Sequence, residues 1–207
     1  MTKDIFEERE RAEEAVYFRE QDEKLIEKLR ENAKLEEIVK ALAGSLQAKN
    51  PDLLRRVMAL GVTLETGSAF LLAPLVQVAW ADDKVTDRER ETVLRLAGAR
   101  GVEEGSPARA QLLDWLEKRP ADVLFETAME VIKAGLSVVP PDLREDRIRR
   151  IEKACHEVAE ASGGLAKVLG LGSGVSHKEK ALLDDMGAAL RSGSQDEKGK
   201  GSAPSAH

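Results

Sequence analysis

The segment Val78-Ala79-Trp80-Ala81-Asp82-Asp83-Lys84-Val85-Thr86-Asp87-Arg88-Glu89 has a partner further along the chain. The partner is Val158-Ala159-Glu160-Ala161-Ser162-Gly163-Gly164, followed by Val175-Ser176-His177-Lys178-Glu179. Each copy reads as a helix end, a tight acidic or glycine-containing loop, one apolar residue and a new helix. Such a unit cannot bury its apolar face alone, so the repeat predicts two related helix-loop-helix halves packed together, the second with the longer loop.

Composition extends this to the whole chain. Aromatic residues make up only 3% of 207 residues, while Leu, Ala, Glu, Arg and Lys are abundant. Straight-chain side chains lose little rotamer freedom in a helix, so an all-α fold is expected. From about Asp4 to Ser45 almost every second or third residue is charged, above a thin apolar stripe that includes Val16, Leu25, Ile26, Leu29, Leu35, Val39 and Leu42. This predicts one long helix, broken at most once and largely solvated unless a partner covers it. Gly44 and Asn50-Pro51 mark its boundary. Further helices are predicted over Leu53–Leu60, Ala69–Trp80, Arg88–Gly98, Pro107–Lys118, Pro120–Ser137, Asp142–Ala161 and Lys178–Leu190. Pro74 either kinks the second of these or stands in its first turn. The expected organisation is a charged helical segment over 1–49, a helical domain over 50–191 and a disordered tail over 192–207.

Charge and targeting signals narrow the class of function. A net charge of −6 and a sequence pI near 5.3 do not provide the positive field that neutralising phosphates requires, which argues against nucleic acid. The acidic start lacks the apolar core of a signal peptide, and the longest apolar run, residues 68–81, is too short to span a bilayer. Cys155 is the single cysteine, so no internal disulfide is available. The expectation is a cytoplasmic protein that does not span the membrane.

Chemistry-bearing residues are few. Cys155 and His156 are adjacent on a helix, so their side chains diverge and cannot act as a nucleophile and its base. His177 and His207 lack companions at metal-ligand spacing. The glycines of 163–174 follow a helix and precede no lysine of the phosphate-loop type. An enzyme is therefore not expected. Thr86 with Glu89, and Ser176 with Glu179, have capping-box spacing. The other reading is that Asp82, Asp83, Asp87 and Glu89 supply hard oxygen ligands to a divalent cation, with Lys84 and Arg88 as competing neutralisers. A divalent cation is the one cofactor these residues could hold.

The run Ala81-Asp82-Asp83-Lys84-Val85-Thr86-Asp87-Arg88-Glu89 resembles the signature of the tellurite-resistance TerB-like domains, and the likeness extends over roughly residues 52 to 191. The resemblance implies a helical bundle of two such halves, a role in chemical-stress responses and an acidic surface that binds metal. Two positions depart from it: Asp83 replaces the family's glycine, and Ser162 in the second copy stands where the first has Asp82.

Tyr17 and Phe18 are adjacent aromatics on an otherwise polar helix, which suits either an interface with another protein or docking on the chain's own domain. The surrounding segment is similar, without a gap, to the inhibitory helix of the mitochondrial ATPase inhibitor protein family. Phe6, Arg9-Glu10, Ala12-Glu13-Glu14, Tyr17-Phe18-Arg19, Leu29 and Arg30 carry the match. The resemblance implies a helix that binds the F-type ATP synthase as its protein partner and inhibits ATP hydrolysis. Its contact residues would be Phe6, Glu10, Glu14, Tyr17, Phe18, Arg19, Ile26 and Leu29. Asn32 and Ala33 occupy the place of that family's pH-sensing histidines, so pH control there is not expected. The alternative is a TerB-like scaffold responsive to metal or chemical stress, with the N-terminal helix packed on its own bundle.

Overall fold

In the computed structural model, residues 2–162 and 175–192 are described, except for the side chains of residues 2–16, 18, 28, 31 and 32. The expected glycine-rich loop 163–174 and the tail from residue 193 lie outside the described residues. The fold is all-α. Its helices are α1 (Thr2–Lys49), α2 (Pro51–Ala59), α3 (Gly67–Leu71), α4 (Ala73–Ala79), α5 (Asp87–Gly98), α6 (Pro107–Glu117), α7 (Asp122–Ser137), α8 (Pro141–Ser162) and α9 (His177–Ser192).

Local chemistry accounts for most boundaries. Asn50 accepts a hydrogen bond from the Leu53 amide at 3.1 Å and so starts α2, with Pro51 at its first position. Ser106 caps α6 in the same way, ahead of Pro107. Pro74 lies in the first turn of α4, so the apolar stretch is two short helices meeting at Leu72, not one kinked helix. Pro120 falls in the linker before α7, whose N-cap is Ala121. Gly44 does not end α1: the helix runs on to Lys49, and a Cβ at Gly44 would meet open space. A single glycine costs only about 1 kcal/mol against alanine in a helix interior, less than the docking of its neighbours supplies.

The core lies where the two halves meet. α8 packs against α4, α5 and α9, and α9 also touches α4 and α7. Ala69, Val76, Val78, Val93, Leu112 and Val158 are fully buried at its centre. Trp80 donates its indole N–H to the Trp115 carbonyl at 2.8 Å, tying the end of α4 to α6. Three ion pairs brace the bundle: Arg95 to Glu157 across α5 and α8, and Arg191 to both Glu145 and Glu152 across α9 and α8. Cys155 is buried among these helices, and burial pushes its thiol up to about 12.

α1 meets α2, α3 and α7, and among its described residues the buried ones lie in its C-terminal part. Val39 and Leu46 are buried, and Leu35 packs against the same core. Every described side chain from Tyr17 to Lys34 is exposed. Among the described residues no helix is long and apolar enough to cross a membrane.

Candidate functional site

Two surfaces bear on the sequence expectations: the paired loops at the centre of the repeat, and the exposed length of α1.

At the first loop the capping box is complete. Thr86 Oγ1 accepts from the Glu89 amide at 3.3 Å, and the Glu89 carboxylate accepts from the Thr86 amide at 2.7 Å. The second loop repeats it: Ser176 Oγ accepts from the Glu179 amide at 3.1 Å, and the Glu179 carboxylate accepts from the Ser176 amide at 2.6 Å. The hydroxyl and the glutamate each satisfy an amide that has no partner within the helix, which is why both helices start where they do. Both glutamates are almost completely buried, at 2% and 1% exposure. Burial raises the Glu89 carboxyl above its usual range, the Thr86 hydrogen bonds oppose this, and the like charges of Glu179 and Asp82 add to the rise.

The two copies differ at one informative position. Ser162 donates its hydroxyl to Glu179 Oε1 at 3.1 Å, the carboxylate oxygen other than the one that accepts from the Ser176 amide. Its counterpart Asp82 would repel Glu89, and its carboxylate instead accepts from Ser176 Oγ at 3.0 Å. Lys178 extends to Asp83 at 2.8 Å and holds that carboxyl below its usual range. Each loop is thereby latched to the other.

The four residues expected as cation ligands are therefore not brought together. Glu89 is turned inward to its own helix start, and Asp82 and Asp83 are bonded to the opposite loop. Asp87 is exposed at the first position of α5, where its charge favours the helix N-terminus. Among the described residues no group of three or more His, Cys, Asp or Glu side chains is placed to hold a metal ion. Sequence spacing suggested convergence, but a carboxylate that closes a capping box points along its helix and away from the others. Ser176 and Lys178 were not singled out as partners of the acidic loop; the opposite charges of the two copies, Asp83 against Lys178, carried that signal.

On α1, Tyr17 is 59% exposed, Leu25 56%, Ile26 47% and Leu29 53%; Arg19 is exposed as well. The side chains of Phe6, Glu10, Glu14 and Phe18 lie outside the described residues. At about 100° per residue, Leu25, Leu29 and Ile26 stand between about a fifth and a half of a turn away from the mean direction of Leu35, Val39, Leu42 and Leu46. Among the described side chains of α1, those that are buried or half-buried begin at Leu35.

No protein-family model, no curated protein and no solved structure matches the chain.

Proposed function

We propose that the chain is a non-enzymatic regulator in which α1 is a target-binding arm, the target is the F-type ATP synthase, and binding slows ATP hydrolysis. The bundle over residues 50–191, read as TerB-like, anchors the arm or senses a condition. The observation that carries this reading is the exposure of Tyr17, Leu25, Ile26 and Leu29 on the part of α1 that precedes its docked residues. An amphipathic helix held by a few anchors is a common way to fill a groove in a partner. The segment with the inhibitor-family likeness, Phe6 to Arg30, lies wholly on this arm, and its exposed Tyr17 and Arg19 are residue types that dominate interface energetics.

The test is to add the full chain to the cognate F-type ATPase and measure ATP hydrolysis. A saturable fall in rate is expected. It should be relieved by Tyr17→Ala combined with Leu29→Glu and kept by Met58→Ala, an exposed change off the arm. A hydrolysis rate that is the same with and without the unmodified chain removes the ATPase as target.

A further inference from the structure

α1 does not close fully over the bundle. Between its docked part and the layer formed by α2, α3 and α7 lies a cavity of about 270 Å³. Its walls are aliphatic and aromatic: Leu46 from α1, Val57 from α2, Phe70 and Leu71 at α3, and Val131 from α7. No charged side chain lines it. The one polar side chain on its wall, Thr63, is already bonded to Thr66, each accepting from the other's amide, at 2.9 and 3.3 Å.

The gap cannot be removed by α1 settling inward, because α1 already rests on two glycines. A Cβ added at Gly67 would come within 2.6 Å of Val39 Cγ1, and one at Gly135 within 2.7 Å of Leu42 Cδ2. Val39 and Leu42 therefore occupy the space that any other residue's side chain would fill, and these contacts set the closest approach of the helix. The space beyond them is a fixed feature of the packing. The cavity opens to solvent past Met58, Thr63 and Leu64, which are exposed, so an apolar guest can enter it and would remove its apolar walls from water.

We infer that this cavity is a binding site for a neutral, apolar small molecule of bicyclic aromatic size. Charge selects the class: a carboxylate, phosphate or ammonium group held against these walls would meet no counter-charge, at a desolvation cost they do not offset. Size selects within it, since a cavity of roughly 150 Å³ takes benzene and this one is larger. The site is independent of what the exposed stripe of α1 binds.

The experiment is a titration of the full chain with 1-fluoronaphthalene, followed by ¹⁹F NMR, with naphthalene-1-carboxylate as the charged control. Saturable binding of the neutral probe and at least tenfold weaker binding of the anion are expected. Ala43→Phe, which pushes a ring into the cavity from α1, should weaken the neutral probe at least tenfold while the chain still melts cooperatively. Absence of saturable binding to the unmodified chain overturns the inference, as does equal binding of the two probes or unchanged binding by a folded Ala43→Phe chain. Should that variant fail to fold, intermolecular NOEs from the probe to the Val57 and Leu71 methyls of the unmodified chain decide: their presence supports the site and their absence overturns it.

Discussion

Lys178 at the start of α9 reaches 2.8 Å to Asp83 in the loop after α4, joining the two halves of the repeat through a residue whose own backbone is left-handed, with φ of 63°. Asp83 is the one non-glycine residue with positive φ among the described residues. Glycine is the residue that adopts this conformation without steric cost. Asp83→Gly should therefore exchange an exposed ion pair for a relaxed backbone and leave stability within about 1 kcal/mol of the unmodified chain. Asp83→Val loses the pair and places a branched Cβ in the left-handed region, so it should be less stable than Asp83→Gly by about 1–2 kcal/mol in urea unfolding. Equal stabilities would contradict the reading of the loop.

Glu89 gives a pH-dependent prediction. Its folded-state pKa is raised by burial, so the native state holds a proton more tightly than the unfolded chain does. That contribution is fully present below the ordinary glutamate range and is lost as pH rises through the raised value. Glu89→Gln keeps an acceptor for the Thr86 amide without the buried charge. It should melt above the unmodified chain at neutral pH, with the gain shrinking as pH falls toward the ordinary carboxylate range. Glu89→Ala loses the reciprocal cap and should cost about 0.5–2 kcal/mol. Thermal melts of the three chains across pH would check both directions.

Along α1, burial predicts a sharp change in mutational sensitivity. Leu25→Ala and Leu29→Ala act on exposed residues and should change stability by no more than about 0.5 kcal/mol. Leu46→Ala, in the docked part at 5% exposure, should cost about 2–5 kcal/mol. A large loss from Leu29→Ala in the isolated chain would mean that the stripe is covered by the protein itself.

Gly135 lies beneath Leu42, with 2.7 Å left for a Cβ. Gly135→Ala should destabilise the chain although alanine is the better helix former, by roughly 1–3 kcal/mol from overpacking. Adding Leu42→Ala should recover part of that loss, so that the double variant is more stable than the sum of the two single effects. Additive losses in denaturant unfolding would show that the two residues are not in contact.

Cys155 is 2% exposed with its thiol pushed up to about 12, so almost no thiolate exists at neutral pH. A thiol-disulfide reagent should label it only as fast as the bundle opens, and at once in denaturant. Rapid labelling of the folded chain would place the thiol nearer solvent than its helix neighbours allow.

The helices, their starts and the repeat were determined locally, by residues close together in the chain. Thr86 with Glu89 and Ser176 with Glu179 set two helix starts with side chains three positions apart, and the prolines at 51, 107 and 141 mark three others. Tertiary structure decided what local spacing cannot encode. It sent Asp82 and Asp83 to Ser176 and Lys178, more than ninety residues away, so that four carboxylates close in sequence do not meet in space. It also selected which turns of α1 are covered, because Gly67 and Gly135 admit Val39 and Leu42 at close range while Leu25 and Leu29 are left exposed. The physical reason is the same in both cases: a cap or a turn is closed by near neighbours, whereas a side chain's environment depends on which distant surface arrives opposite it.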